Sequence, residues 1–253
     1  MQLAEITPMI LTFNEAANLR RTLEAVSWAK QILIVDSFST DETLSIVADF
    51  PQATVVQRAF DHFADQCNFG LKNIQTDWVL SMDADYVCSI DLSAEIESLE
   101  GDSAGYQAAF LYGIYGKNLR ACLYPPRTVL YQRVKANYLR DGHAHRVQID
   151  GQVSQLRSRI IHDDRKPLSN WLRSQLKYAE HEAEKLLRAS ISELGWKDRI
   201  RKRVFFAPWL TLLYCLFAKR LILDGRAGIY YTLQRVFAEL VLSLTLLDRM
   251  IRK

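Results

Sequence analysis

In the first hundred residues, four short apolar runs alternate with three stretches of helical spacing, and this alternation constrains the fold more than any other feature. The runs are Thr7–Leu11, Ile32–Val35, Thr54–Gln57 and Trp78–Met82. Between them, Leu19, Leu23 and Val26 follow an Asn14-Glu15 cap at helical spacing. Asp41–Phe50 carries Leu44, Val47 and Ala48 on its inner face behind an Asp41 N-cap, and Phe63–Ile74 is the third helix. Strands alternating with helices of this length predict an α/β fold with a mostly parallel, doubly wound sheet. Ligands of such sheets sit beyond the carboxyl ends of the strands. Asp36 and Asp83 both fall at such ends.

After residue 105 the pattern changes. Tyr106–Tyr112, Thr128–Arg133 and Arg159–His162 are short β-like runs, and Gly113, Gly116, Pro125 and Pro126 mark loops suited to covering a substrate. Leu168–Ser190 has the spacing of one long helix. These features divide the chain into an α/β domain over residues 1–165 and a helical region over 166–253. With 49% hydrophobic and 24% charged residues, the composition is that of a globular protein and argues against disorder. Cys67, Cys88, Cys122 and Cys215 are scattered, which disfavours a structural zinc site or a disulfide framework and suits a reducing compartment. The start of the sequence lacks a basic stretch followed by an apolar run, so a cytoplasmic location is expected.

Charge is distributed unevenly. From Trp196 onward there are twelve Lys and Arg against four Asp and Glu, whereas the rest of the chain is mildly acidic. Val204–Ala218 is apolar throughout and bracketed by basic residues. Fifteen residues of helix reach only about 22 Å, short of the roughly 30 Å hydrocarbon core, and Pro208 is expected to interrupt the segment. Ile229–Leu247 is a second apolar helix with Arg235, Glu239 and Ser243 as a polar stripe. This combination predicts peripheral association with an anionic membrane surface, at the cytoplasmic face, rather than binding to nucleic acid. A buried helical pair, or a homo-oligomer formed through these helices, is the ordinary alternative.

The motif richest in chemistry is Met82-Asp83-Ala84-Asp85, directly after a strand. Two carboxylates one residue apart can hold a hard cation such as Mg²⁺ or Mn²⁺ whose remaining positions go to diphosphate oxygens. An acidic turn also arises by chance, and its placement after an apolar strand is what raises its weight. Asp36 is placed to accept hydrogen bonds from a base N–H and a ribose hydroxyl, while Asp41 reads as a helix cap. Thr12, Asn14 and Glu15 leave the first strand at the same rim.

Together these elements resemble the nucleotide-sugar half of the family 2 glycosyltransferases, of GT-A fold. Arg58 with Gln66-Cys67-Asn68 looks like that family's Arg and its helix motif, although Cys67 stands where a basic residue is usual. The resemblance extends through Tyr124-Pro125-Pro126-Arg127, Gly151-Gln152-Val153, Ile161-His162-Asp163, the Tyr178-Ala179 and Glu182-Ala183 pairs, and Leu223–Gly228, and it is nearest to the lipopolysaccharide-core branch. It implies inverting transfer from a nucleotide-sugar, UDP-linked in the first instance, to a lipid-linked, lipopolysaccharide or other glycan acceptor. It makes residues 1–100 the donor half and 101–165 the acceptor half. Asp83, Asp85 and His162 become the candidate metal ligands. Thr12, Asn14, Glu15, Asp36, Arg58, Gln66, Asn68, Asp83 and Arg127 become the candidate donor-binding residues.

Inverting transfer needs a base for the acceptor hydroxyl. Relatives carry His-Glu in the loop that here reads Arg140–Val147, and Arg146 stands in place of the carboxylate. Asp141 is the nearest carboxylate and the first candidate, with His143 and His145 as alternatives. Two other readings stay open. A sugar-phosphate nucleotidyltransferase would want a Gly-rich phosphate loop, and Pro8–Asn14 has no glycine. An inactive membrane-associated binding protein of the same fold would have no need to keep Asp83 and Asp85.

Overall fold

The computed structural model describes residues 1–141, 144–190 and 192–252, with backbone only at 141 and 144–146. The chain divides into two compact units, Met1–Asn118 with Leu123–Arg165, and Leu119–Cys122 with Lys166–Lys253.

In the first unit, β1 (Ile6–Thr12), β2 (Ile32–Asp36), β3 (Ala53–Gln57) and β4 (Trp78–Asp83) alternate with α1 (Leu19–Ala25), α2 (Thr43–Ala48) and α3 (Phe63–Lys72). β5 (Tyr86–Cys88) and α4 (Ile90–Glu97) come next, followed by β6 (Gly105–Ile114), β7 (Lys117–Asn118), β8 (Arg127–Gln132), β9 (Ala136–Asp141), β10 (Ala144–Ile149) and β11 (Val153–His162). The main sheet runs β3-β2-β1-β4-β8-β6-β11-β5, with β7 paired to β6, and β9 and β10 form a separate antiparallel ribbon. The four strands β3, β2, β1 and β4 are parallel, as expected. Beyond β4 the sheet is mixed: β8 is antiparallel to both β4 and β6, β11 is parallel to β6, and β5 is antiparallel to β11. Only the donor-side half therefore meets the expectation of a parallel sheet.

β1 and β2 are almost continuously apolar because both of their faces are covered. Successive residues point to opposite sides, so Ile10, Ile34 and Leu80 join α1 and α4 in one core cluster. Met9, Leu33, Val35 and Val79 join α3, Tyr131 and Tyr138 in the other. Burying each such side chain contributes about 1.5–3 kcal/mol. Helix α1 starts later than its sequence suggests. Asn14 has a left-handed φ of 54°, and residues 15–18 turn before the helix begins at Leu19.

The second unit comprises α5 (Leu168–Arg188), α6 (Trp196–Lys202), α7 (Ala207–Leu213), continued by a π-helical turn at Tyr214–Ala218, and α8 (Gly225–Ile251). Pro208 does not interrupt a helix. It occupies the first turn of α7, where a missing N–H costs nothing. Ala179, Ala183, Leu186, Val204, Leu242 and Leu246 form this unit's core. Gly228 packs against the turn before α8 so closely that a Cβ there would lie 1.9 Å from the Leu221 carbonyl oxygen. Asp224 in that turn accepts from the Arg120 backbone N–H at 3.1 Å and from its Nε at 2.8 Å.

Candidate active site at the strand exits

The strand register aligns the carboxyl ends of the parallel strands into one rim. Gln57 pairs with Asp36, Asp36 with Thr12, and Leu11 with Asp83. Chain order reverses between β1 and β4, and such a switch point opens a crevice in α/β sheets.

Asp36 is fully buried and its carboxylate is completely engaged. Oδ1 accepts from Thr12 Oγ1 at 2.9 Å and from the Ser39 hydroxyl, and Oδ2 accepts from Ser39 N at 2.9 Å and Gln57 Nε2 at 3.0 Å. A carboxylate has about four acceptor positions, so Asp36 organises the rim and offers no open acceptor. Burial pushes its pKa up, but the bonds from Ser39, Gln57 and Thr12 outweigh burial and hold it below the usual carboxylate value.

The loops after β1 and β2 are tied together. Asn14 N donates to Ser39 Oγ at 2.9 Å, Thr40 N donates to Asn14 Oδ1 at 2.8 Å, and Glu15 N donates to Thr43 Oγ1 at 2.8 Å. Asp41 accepts from Ala16 N and Thr43 N, but the N-cap of α2 is Glu42, so Asp41 stands one position ahead of the cap expected of it and ties the two loops together. These ties leave Phe13 and Phe38 projecting at 56% and 53% exposure, and Phe38 holds a left-handed φ of 61° that is uncommon for an aromatic residue. Sequence reasoning overlooked both.

Other expected donor-binding residues are spent on one another. The Arg58 guanidinium forks onto Asp61 at 2.8 and 2.7 Å and also donates to Gln66 Oε1 at 2.7 Å. The Gln66 amide donates to Ser37 Oγ and to the Arg58 carbonyl. Asn68 is engaged by the backbone of β9. Its Nδ2 donates to the Tyr138 carbonyl at 2.9 Å and its Oδ1 accepts from Tyr138 N at 3.0 Å, joining α3 to β9. Cys67 is fully buried in the core, where burial raises its thiol pKa; no phosphate contact is available to it.

The acidic turn after β4 differs in keeping one acceptor, Asp85 Oδ1, buried and open. Asp83 is partly exposed, with Oδ2 4.0 Å from Arg127 Nη1. The Arg127 guanidinium lies 4.7 Å from the Tyr124 ring centroid. Burial pulls the Arg127 pKa down, but Tyr86, Tyr124, Asp83 and Asp85 together raise it, so the guanidinium stays charged. Asp85 Oδ2 lies 3.0 Å from His162 Nε2, whereas Asp85 Oδ1 is buried with no hydrogen-bond partner. Burial pushes the His162 pKa down, and the Asp85 carboxylate, with Asp83 and Asp164 behind it, outweighs burial and leaves a net rise. Tyr86, Tyr112 and Tyr124 surround the imidazole with centroids 4.8–5.3 Å away.

Among the described residues, no three His, Cys, Asp or Glu side chains converge as a metal site. His162 is thus not the third member of a preformed ligand cluster with Asp83 and Asp85: its Nε2 faces Asp85, and its Nδ1 is buried without a partner. Asp83 and Asp85 are the residues that would hold a hard cation, and the orphaned Asp85 oxygen, otherwise costly to bury, fits that role.

A support that the sequence reading did not find lies behind this turn. Asp163 is buried and accepts from Arg21 Nη1 at 3.2 Å, Gly116 N at 3.0 Å and Arg165 Nε at 2.9 Å, while its own N–H donates to the Asp85 carbonyl at 3.1 Å. Thr22 Oγ1 donates to the Ala84 carbonyl at 2.6 Å. Gly113 permits this approach, since a Cβ there would sit 2.7 Å from Asp163 Cβ. The paired arginines on α1 and the Asp163-Asp164-Arg165 run were the available signals. His143 and the side chains of Asp141 and His145, the three expected candidates for the base, lie outside the described residues.

A sequence profile described as "Glycosyl transferase family 2" matches residues 9–148, more than half the chain. The chain belongs to glycosyl transferase family 2. An uncharacterised glycosyltransferase of Rickettsia bellii is 37% identical over 94 residues, covering 37% of this chain and 32% of that protein. A second, from Rickettsia felis, is 35% identical over 94 residues. The family 2 chain thus spans about a third of the length of the curated relatives it matches. Among solved structures, the mannosyltransferase PcManGT of Pyrobaculum calidifontis, in complex with GDP-Man and Mn²⁺, superposes with a TM-score of 0.54 at 14% identity. The match covers 98% of this chain and 87% of that one. S. aureus TarS 1–349 in complex with UDP-GlcNAc gives 0.50 at 12% identity, covering 98% and 92%. These likenesses establish the GT-A fold for this family 2 member.

Proposed function

We propose that the chain transfers a sugar, with inversion, from a nucleotide-sugar to a lipid-linked, lipopolysaccharide or other glycan acceptor, using Mg²⁺ or Mn²⁺ at the Asp83–Asp85 turn. A UDP-sugar is the first donor to test. One observation carries this reading: at the exit of β4, Asp85 keeps a carboxylate oxygen buried without a partner, two residues beyond the partly exposed Asp83. A bound divalent ion there would neutralise charge on the departing diphosphate.

The chain's own residues do the rest. Asp83 and Asp85 present oxygen ligands at the switch point, and His162 fixes the Asp85 carboxylate. Arg127, kept charged and braced on Tyr124, adds a cation beside Asp83 for anionic oxygens of the donor. Phe13 and Phe38 offer aromatic faces at the rim on which a nucleobase can stack. A base removes the acceptor proton on the opposite side of the sugar, and the loop at 140–147 is where it is sought, with Asp141 first and His143 and His145 next.

The test is incubation of the protein with UDP-, GDP- and ADP-sugars, with and without Mn²⁺ or Mg²⁺, following release of nucleoside diphosphate and the anomeric configuration of any product by NMR. Metal-dependent release from at least one donor with an inverted product is expected. Absence of release and of binding across the panel would refute the proposal.

A further inference from the structure

The helical unit has an apolar core, yet it also leaves large apolar side chains on its outside. On α8, the polar side chains turn inward: Glu239 accepts from Arg201 Nε at 3.1 Å, and Ser243 is buried and donates to the Val204 carbonyl at 2.6 Å. A neighbouring face presents Ile229, Leu233, Leu240, Leu244 and Leu247 at helical spacing, with Leu233 and Leu244 57% and 58% exposed. α7 packs on α8 and repeats the pattern, since Trp209, Leu213 and Phe217 follow one another at four-residue intervals and are all exposed. A helix bathed in water shows the reverse arrangement, and a contiguous apolar face of this extent marks a docking surface.

We propose that the outer face of the α7–α8 hairpin seats in the interfacial layer of an anionic phospholipid bilayer. The charge pattern selects this occupant. Each acidic residue of the segment is engaged by an arginine: Asp198 and Glu239 by Arg201, Asp224 by Arg120, and Asp248 by Arg252. Lys197, Arg203, Arg220 and Arg226 are exposed and have no ion pair among the described residues. A second copy of the chain would cover the apolar face but set arginines against arginines. An anionic bilayer takes up the apolar side chains and supplies the missing counter-charges together. No described helix is long and apolar enough to cross a membrane, so the hairpin lies in the interface. Trp209 and Tyr214, the latter beneath Lys219 at 5.6 Å, are the side chains that favour that depth. The seating is independent of the sugar-transfer reading.

The experiment is flotation of the full chain with vesicles of phosphatidylcholine alone or of phosphatidylcholine mixed with phosphatidylglycerol. The bound fraction should rise about tenfold or more on the anionic vesicles and fall with added salt. Trp209→Glu with Phe217→Glu, both at exposed positions, should abolish flotation while leaving the circular dichroism and melting temperature unchanged. Arg203→Glu with Arg220→Glu and Arg226→Glu should remove the preference for anionic lipid. The proposal fails if the wild-type chain does not float with anionic vesicles, or if both variants float equally well. It also fails if light scattering finds a dimer that the Trp209/Phe217 variant splits while no lipid is bound. Nucleotide-sugar binding by the same variants separates a lost lipid surface from a lost donor site.

Discussion

His162 Nε2 and Asp85 Oδ2 lie 3.0 Å apart, and this contact holds the aspartate so that its second oxygen stays buried and open. Three tyrosines wall the imidazole from water, so the pair behaves as one unit. Replacing His162 with Ala leaves a buried carboxylate short of its partner, which costs about 1–3 kcal/mol. The expected result is a lower melting temperature together with a higher metal concentration needed for half-maximal turnover. A variant with unchanged stability would show that the contact is dispensable.

Asp36 predicts how stability responds to acid. Its folded-state pKa is depressed, so the stability it contributes is present above the unfolded value of about 3.9 and is lost as pH falls through the folded value. Urea unfolding followed from neutral pH into the acid range should show a steep loss below about pH 4. In Asp36→Asn that part of the loss should be smaller, on a baseline already lower at neutral pH. Parallel curves would contradict the role given to Asp36.

Phe38 tests the nucleobase platform. Its side chain touches little of the core, so Phe38→Ala should fold normally and lose about 1–3 kcal/mol of donor affinity, the worth of one base stacked on an aromatic ring. Titration calorimetry with the best donor of the panel measures this directly. An unaltered dissociation constant would remove Phe38 from the site.

Asn68→Ala separates support from binding. Two hydrogen bonds to Tyr138 are lost, so stability should fall by about 1–3 kcal/mol, with donor affinity per folded molecule unchanged. A specific loss of donor binding at full stability would restore the ligand-contacting role expected from the sequence.

The parallel half of the sheet was legible because doubly buried strands leave apolar runs that composition and spacing expose, as at Ile32–Val35. The acidic turn was legible too, since Asp83 follows such a run directly. Which polar residues are spent on one another was not legible. Asp36 meets Gln57, Asn68 meets Tyr138 and Arg21 meets Asp163, and no local rule connects residues 21, 70 or 142 positions apart. The mixed half of the sheet was hidden for a related reason, because strand direction beyond β4 depends on long connections and not on any single run. In the helical unit, the polar stripe on α8 was visible, but only packing shows that it faces Arg201 and Val204.

The most direct test of the account is calorimetric titration of a nucleotide-sugar into wild-type protein and into Asp83→Asn with Asp85→Asn, each with Mn²⁺ and with EDTA. Wild-type binding that weakens about tenfold or more in EDTA, and a variant that binds no better with Mn²⁺ than without it, are the predicted results. Equal affinity in all four titrations would contradict a cation held at the β4 exit.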